Sequence, residues 1–474
     1  MFDYENDTIA AVCTGTGGAV SIIRISGPRA LDVVRAVWRG KRMPGPDCPR
    51  VMLYGRLVSG DKDETGTGEP SLAVFMPGPR SFTGEDVAEI HCHGGSFAAR
   101  RALRLALGAG ARLAQNGEFT RRAFLNDKLD LTQAEGVLDL INAGSERAGL
   151  LAERQLNGAV GSLVREIRTE VVHLLSECES RLDFSEEDLD WMPPETFCNN
   201  VAVLRKRAAE LALTARAGNL IRDGVSLVIA GPPNAGKSSL LNRMLGYDRA
   251  IVTPIPGTTR DTLEESVSIG GIRFRVTDTA GLREAEQADP VEAMGMERSQ
   301  QSLGAADIVL WLLDASAPAE TFPAQIEAMD RARSAVRGKF IPCWNKMDEA
   351  AATSNEIDLI GETKEAEPGL VFEHISARTG DGLDRLFRRL EETAWDGLPA
   401  AAQSGAAAVS ERHAALLEQA ANHLDAAAED AARGSWELAG SSLRTAAELI
   451  GCITGETATP DILDEIFSRF CIGK

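Results

Sequence analysis

The segment GPPNAGKSSL, residues 231–240, constrains the fold of this chain more than any other stretch. It follows SLVIAG (226–231), an apolar run that reads as a buried parallel strand, and leads into SSLLNRML (238–245), which reads as a helix. Gly231, Gly236, Lys237 and Ser238 fit the spacing GxxxxGK[ST] in the required strand–loop–helix context. The residue types answer a physical demand. Glycines let backbone N–H groups approach phosphate oxygens, and the start of the next helix adds partial positive charge. Lys237 is expected on the β- and γ-phosphates and Ser238 on Mg²⁺, with Asn234, Ala235 and Ser239 completing the cradle. The loop says that a nucleotide is held, but not which base it carries.

The base is read further along. Asn345-Lys346-Met347-Asp348 follows the predicted strand KFIPCW, and a carboxylate there accepts from guanine N1–H and the exocyclic amine, a pair adenine lacks. Ser376-Ala377-Arg378, after LVFEHI, fits a backbone contact to guanine O6. Asp278-Thr279-Ala280-Gly281 follows the strand RFRVT; Asp278 is expected to hold Mg²⁺ through water, and the Gly281 N–H to sense the γ-phosphate. Four elements in this order predict a GTPase rather than an ATPase. The residue directly after DTAG is Leu282, where Ras-like GTPases carry the glutamine that orients water. The loop VTPIPGTTRD (252–261) offers Thr259 as a second Mg²⁺ ligand and, from Thr253, Pro254, Ile255, Pro256, Gly257 and Thr258, several groups close to the phosphates. Together with the Asn234 amide, such oxygens suit a monovalent cation that neutralises transition-state charge. The acidic stretch LREAEQADPVEAMGMER brings Glu284, Glu286, Asp289, Glu292 and Glu297, each of which taken alone reads as a solvated carboxylate.

Around this core the chain changes texture. Residues 1–118 mix β-rich runs (SIIRIS, SLAVFMP, AEIHCHGG) with a helical stretch, ARRALRLALGAGARL. Residues 119–220 are helical, with Val160, Leu163, Val164, Ile167, Val171, Leu174, Leu175, Cys178 and Leu182 at three- and four-residue spacing. Strand and helix alternate over 221–394, and 395–474 return to helix, with Trp436, Ala439, Leu443, Ala447 and Ile450 on one face. The expectation is an α/β N-terminal domain, then a helical domain into which a Ras-like P-loop domain is inserted.

Composition narrows the function classes. With 50 basic against 70 acidic residues the net charge is −20, which excludes a protein that coats nucleic acid by bulk charge and demands a local basic patch for any RNA contact. Arg121, Arg122 and Lys128 are candidates for that patch, although solvated helix arginines fit equally well. No run approaches the ~18 apolar residues of a membrane span. The start of the chain has neither the basic segment nor the apolar core of a targeting peptide, so a cytoplasmic protein is expected. The 8 cysteines form no CxxC pair. His91 and His93 alternate along a strand, where an ordinary strand is a simpler account than a metal site.

GPPNAGKSSLLN, AIVTPIPGTTRD, DTAGLRE, NKMD and SARTG together resemble the MnmE (TrmE) family of tRNA-modifying GTPases. So do the flanking SFTGEDV (81–87), HGG (93–95), NGEFTRRAFLNDKLDLTQAE (116–135) and FSRFCIGK (467–474). The likeness covers essentially the whole chain. It implies a homodimer formed through an N-terminal domain that binds 5-formyltetrahydrofolate or a related one-carbon folate. It also implies a FAD-dependent MnmG-type partner and the addition of aminomethyl or carboxymethylaminomethyl groups to C5 of the tRNA wobble uridine. GTP hydrolysis would depend on K⁺ held by Asn234, Thr253, Ile255 and Thr258, and on Mg²⁺ held by Ser238 and Thr259. The family's water-orienting glutamate falls on Glu292, its folate contacts on Arg24, Glu85, Lys128 and Lys474, and its tail cysteine, a candidate catalytic residue at the folate site, on Cys471. One departure stands out: TGTGGAVSI replaces the usual TPPGRGGVGI, a residue shorter and without the arginine. A ribosome-assembly GTPase acting as an RNA-binding switch shares the GTTRD-type loop, but the charge and the lack of a KH-like segment oppose it.

Overall fold

The computed structural model describes residues 7–15, 17–59, 68–184, 190–247, 265–278, 303–350, 371–398 and 408–474. The chain divides into two units: 1–142 with 152–212 and 412–474, and 143–151 with 213–411.

The first unit is built on a seven-stranded sheet. Its strands are β1 (Ile9–Val12), β2 (Val20–Ser26), β3 (Trp38–Gly40), β4 (Leu53–Leu57), β5 (Glu69–Met76), β6 (Val87–His93) and β7 (Arg112–Leu113), in the spatial order β3-β4-β5-β6-β2-β1-β7. All neighbours are antiparallel except β1 and β7. The alternation in SIIRIS does its work here. Ile23 and Ile25 face a core with Phe75, Ala88 and Ile90, beneath helices Ala30–Val37 and Ser96–Gly108. Arg24 and Glu89 are paired across β2 and β6 and point to the opposite face. The helical run expected through residue 113 stops at Gly108, and Arg112–Leu113 joins the sheet edge instead.

In the helical part of this unit, Ala159–Asp183 packs against Trp436–Thr454. Val160, Val164, Ile167, Val171, Leu174 and Cys178 are buried as the spacing requires, whereas Leu163 and Leu182 are exposed. Gly440 and Ala439 on the facing helix leave room for this close approach, and an added Cβ at Gly440 would sit 3.5 Å from Cys178 Cβ. The last residues turn back onto the sheet domain, where Ile472 bridges to Asn116.

The second unit carries a six-stranded sheet of β8 (Val225–Ala230), β9 (Glu265–Ile269), β10 (Ile272–Asp278), β11 (Ile308–Asp314), β12 (Lys339–Asn345) and β13 (Glu373–His374). The order is β13-β12-β11-β8-β10-β9, parallel except for the β9 edge. The continuous apolar runs of β8 and β11 follow from burial on both faces of a parallel sheet. Chain order reverses beside β8, so the crevice beyond its C-terminal end is the place where such sheets bind ligands. This is the Ras-like P-loop architecture that the sequence leads one to expect.

Candidate functional site

The phosphate loop leaves β8 at Ala230 and enters helix Lys237–Tyr247. Two of its glycines are forced by geometry. Gly231 has φ +140° and a Cβ there would lie 2.3 Å from the Leu312 carbonyl oxygen. Gly236 has φ +92° and a Cβ would lie 2.3 Å from the Asn345 amide nitrogen. Between them Asn234 adopts a left-handed conformation with φ +63° and is exposed at the crown of the loop. The Lys237 ammonium bends back over the loop and donates to the carbonyls of Gly231 and Pro232 at 3.1 and 2.9 Å. Ser238 and Ser239 beside it are exposed.

The guanine end is assembled from the ends of β12 and β13. Asn345 is buried and acts as a strut. Its Nδ2 donates to the Ala235 carbonyl at 2.8 Å, and its Oδ1 accepts from the Ala377 N–H at 2.9 Å. One side chain therefore fixes the phosphate loop and the base-contacting loop relative to each other. Lys346, with φ +64°, pairs with Asp314 at 2.7 Å. Burial works against the charge on Asp314, but the Lys346 ammonium and the Ser316 hydrogen bonds keep its carboxyl below the ordinary range. Asp348 accepts from the Ser376 hydroxyl at 2.5 Å through Oδ1, and Arg378 Nη2 pairs with Oδ2. The Ser376 hydrogen bond, aided by the Arg378 charge, holds the Asp348 carboxyl below its usual value, so it stays an acceptor. Arg378 is also tied to Glu349 at 2.6 Å. From the helix after the phosphate loop, Arg243 donates to the Thr379 carbonyl at 2.7 Å.

Thr253, Pro254, Ile255, Pro256, Gly257, Thr258, Thr259, Thr279, Ala280, Gly281 and Glu292 lie outside the described residues, as does the side chain of Asp278 at the end of β10.

A second cluster forms in the sheet unit around the start of helix Glu118–Leu125. Arg24 donates from Nε to Glu89 at 2.8 Å and lies over the rings of Phe82 and Phe119 at 5.4 and 5.8 Å. Its two Nη atoms meet no acceptor among the described residues. Glu85 accepts from Ser26 at 2.6 Å and pairs with Arg122 at 3.1 Å. The Lys474 carbonyl accepts from the Phe119 N–H at 3.2 Å, and the Cys471 carbonyl from the Gly117 N–H at 3.4 Å. Lys128 packs against the Gly84 position and donates to the Pro79 carbonyl at 3.1 Å. Arg24, Glu85 and the CIGK tail thus gather about helix Glu118–Leu125, with the Cys471 thiol exposed, whereas Lys128 lies beyond the helix's far end. The shortened TGTGGAVSI segment runs against the HGG turn, where the Gly94 N–H donates to the Ala19 carbonyl at 2.9 Å. His91 and His93 are each taken by a carboxylate, Glu89 and Glu69 respectively.

One expectation is corrected. Arg122 is 1% exposed and belongs to a buried ion cluster with Asp7, Glu85 and Glu118, and Arg121 pairs with Asp464 at 2.5 Å. These two arginines are internal fastenings, not an RNA-facing patch. The signal available was Glu118 four residues before Arg122, the spacing of a same-face helix pair.

Comparison with known proteins bears on both sites. A family model described as the MnmE helical domain matches residues 131–471, and one described as the GTP-binding protein TrmE N-terminus matches residues 8–128. The tRNA modification GTPase MnmE of Symbiobacterium thermophilum is 41% identical over 481 residues, covering 99% of both chains. This chain belongs to the MnmE family. The MnmE proteins of Roseiflexus sp. strain RS-1 (42% identical, 99% of both chains) and Akkermansia muciniphila (39%, all of both chains) are similar over the same span. As an MnmE family member the protein is a tRNA modification GTPase. The contacts that sequence reading missed, Arg243 to Thr379 and Arg122 to Asp7 and Glu85, cross chain segments no local pattern connects.

Proposed function

We propose that the protein is a K⁺- and Mg²⁺-dependent GTPase whose hydrolysis times the modification of the tRNA wobble uridine. The observation that carries this reading is the phosphate loop itself. Asn234 stands exposed at its crown in a left-handed turn, three residues before Lys237. An amide oxygen there, with the carbonyls and hydroxyls of Thr253, Ile255 and Thr258, forms an all-oxygen donor set of the kind a hard monovalent cation takes. Such a cation supplies positive charge near the phosphates, where no arginine finger is available in the loop.

The chain's own residues do the rest. Backbone N–H groups of Ala235, Gly236, Lys237 and Ser238 and the Lys237 ammonium hold the phosphates, and Ser238 and Thr259 hold Mg²⁺. Asp348 selects guanine, Ser376 aims that carboxylate, and Ala377 meets the O6 edge. Glu292 orients water, replacing the glutamine that Leu282 cannot mimic.

In the other unit, Arg24, Glu85, Lys128 and Lys474 hold a formyltetrahydrofolate or related one-carbon folate. The free Nη edge of Arg24 suits the glutamate carboxylate of such a ligand, and Glu85 retains acceptor capacity for pterin N–H groups. Cys471 lies at that site with its thiol exposed. The working assembly is a cytoplasmic homodimer with a FAD-dependent MnmG-type protein, adding aminomethyl or carboxymethylaminomethyl groups at C5.

Steady-state GTP turnover in KCl against NaCl at equal ionic strength tests the cation reading. Turnover is expected to fall at least tenfold in NaCl, and Glu292→Ala to keep GTP affinity while losing turnover. Undiminished turnover in NaCl would remove K⁺ from the account.

A further inference from the structure

In a chain with 70 acidic residues many arginines are held by carboxylates. Arg24, Arg42, Arg112, Arg121, Arg122, Arg147, Arg165, Arg168, Arg181, Arg205, Arg207, Arg385, Arg412 and Arg444 all form ion pairs. The outer layer of the sheet unit is different. Residues 90–117 contain four arginines and no Asp or Glu, and residues 1–128 carry 17 Lys and Arg against 14 Asp and Glu while the whole chain is −20.

Helix Ser96–Gly108 buries Ala98, Ala99, Ala102 and Ala106 against the sheet and turns Arg100 and Arg104 outward, with Arg101 half-buried beside them. These guanidiniums contact only local groups. Arg100 donates to the Ser96 carbonyl at 2.9 Å and the Ser96 hydroxyl at 3.1 Å, and Arg104 to the Arg100 carbonyl at 3.4 Å. At the far end of the same helix Arg29 is exposed, reaches the Ala109 carbonyl at 3.4 Å, and lies against Gly110. Among the described residues none of the four pairs with a carboxylate. From Arg100 to Gly110 is about 15 Å at 1.5 Å of rise per residue, so the cations form a row rather than a point. Phe97, exposed on the first turn, adds a flat apolar surface at one end.

We propose that this outer face, Arg29 with Arg100, Arg101 and Arg104, is where the tRNA substrate lays its phosphate backbone. The planar guanidinium matches phosphate oxygens in pairs and loses less freedom per hydrogen bond than an ammonium does. Charges beyond about 8 Å are screened at physiological salt, so the acidic remainder of the chain does not cancel a local row. The proposal rests on the tRNA-modification reading and supplies the surface that Arg121 and Arg122, buried or paired, do not.

The test is fluorescence anisotropy of labelled bulk tRNA with the full chain, over 50–200 mM KCl, for wild type, R100Q/R101Q/R104Q and R100K/R101K/R104K. Glutamine and lysine both favour helix, and GTP turnover and thermal melting report that the fold persists. The glutamine variant should bind at least tenfold more weakly, with the slope of log affinity against log salt shallower by about 2 to 3. The lysine variant should keep most of the affinity and the wild-type slope. Wild-type affinity and slope in the glutamine variant would overturn the surface alone. Absence of tRNA binding by the wild type at 50 mM salt would overturn the RNA-contact reading with it. Loss of flavoprotein binding with tRNA affinity intact would assign the face to an acidic protein surface and also overturn the proposal.

Discussion

Asn345 shows what a single residue contributes in this site. Its two amide atoms satisfy a carbonyl of the phosphate loop and an N–H of the guanine loop, 110 and 32 residues away in sequence. Removing it leaves both groups buried without partners, at about 1–3 kcal/mol each. Asn345→Ala is therefore expected to weaken GTP binding at least tenfold, as read by equilibrium titration with a fluorescent GTP analogue. Arg378 acts in the other direction, because it occupies the Asp348 oxygen that guanine needs. The Arg378 guanidinium is itself largely exposed and screened by solvent, so Arg378→Ala should speed analogue association up to about fivefold in stopped flow. Slower association would show that Arg378 assists the base rather than competing with it. The NKMD motif identified Asn345 and Asp348 in the sequence. The strut and the competing arginine were not legible, since they depend on where distant loops end.

At the scale of elements, helix periodicity was readable and its limits have a physical cause. The spacing through Ala159–Asp183 marked a nine-residue apolar stripe, yet Leu163 and Leu182 are exposed because the partner helix covers a narrower strip lined by Ala439, Gly440, Leu443 and Ala447. Polar fastening between helices was not readable at all. Glu135 on helix Leu131–Asn142 pairs with His413 at 2.7 Å and Arg412 at 2.9 Å on the first turn of helix Glu411–Ala432, and His413 is fully buried. Burial alone would raise the Glu135 pKa, but the His413 and Arg412 charges and hydrogen bonds outweigh it and hold it at about 2, against an ordinary 4.5. A depressed carboxylate stabilises the fold fully above its unfolded pKa, and that contribution is lost as pH falls from about 4.5 toward 2. Calorimetric unfolding should therefore find Glu135→Gln destabilised by roughly 2–3 kcal/mol at pH 6 and progressively closer to wild type below pH 4. A gap that stays constant with pH would remove Glu135 ionisation from the stability of this helix pair.

At the scale of the whole molecule, much of the architecture follows from two hydrophobic periods and a few glycines. The parallel sheet announced itself as continuous apolar runs ending in phosphate- and base-binding loops, and the antiparallel sheet as alternation in SIIRIS and AEIHCHGG. The unit containing the GTPase sheet spans 213–411 and also takes residues 143–151, a segment that reads by itself as part of the preceding helical run. Charge distribution was the least legible property. The sequence supplied a net value, whereas the fold decides which arginines are consumed by carboxylates and which, like Arg100 and Arg104, remain free to meet a phosphate. The account as a whole holds that GTP bound beyond β8 serves chemistry on tRNA. Nucleoside mass spectrometry of bulk tRNA, from cells lacking the gene and from the same cells given wild type or Glu292→Ala, tests it most directly. The account predicts that C5-modified wobble uridines disappear in the deletion, return with wild type and stay absent with Glu292→Ala. Modified uridines undiminished in the deletion, with ribosomal subunits accumulating in their place, would contradict it.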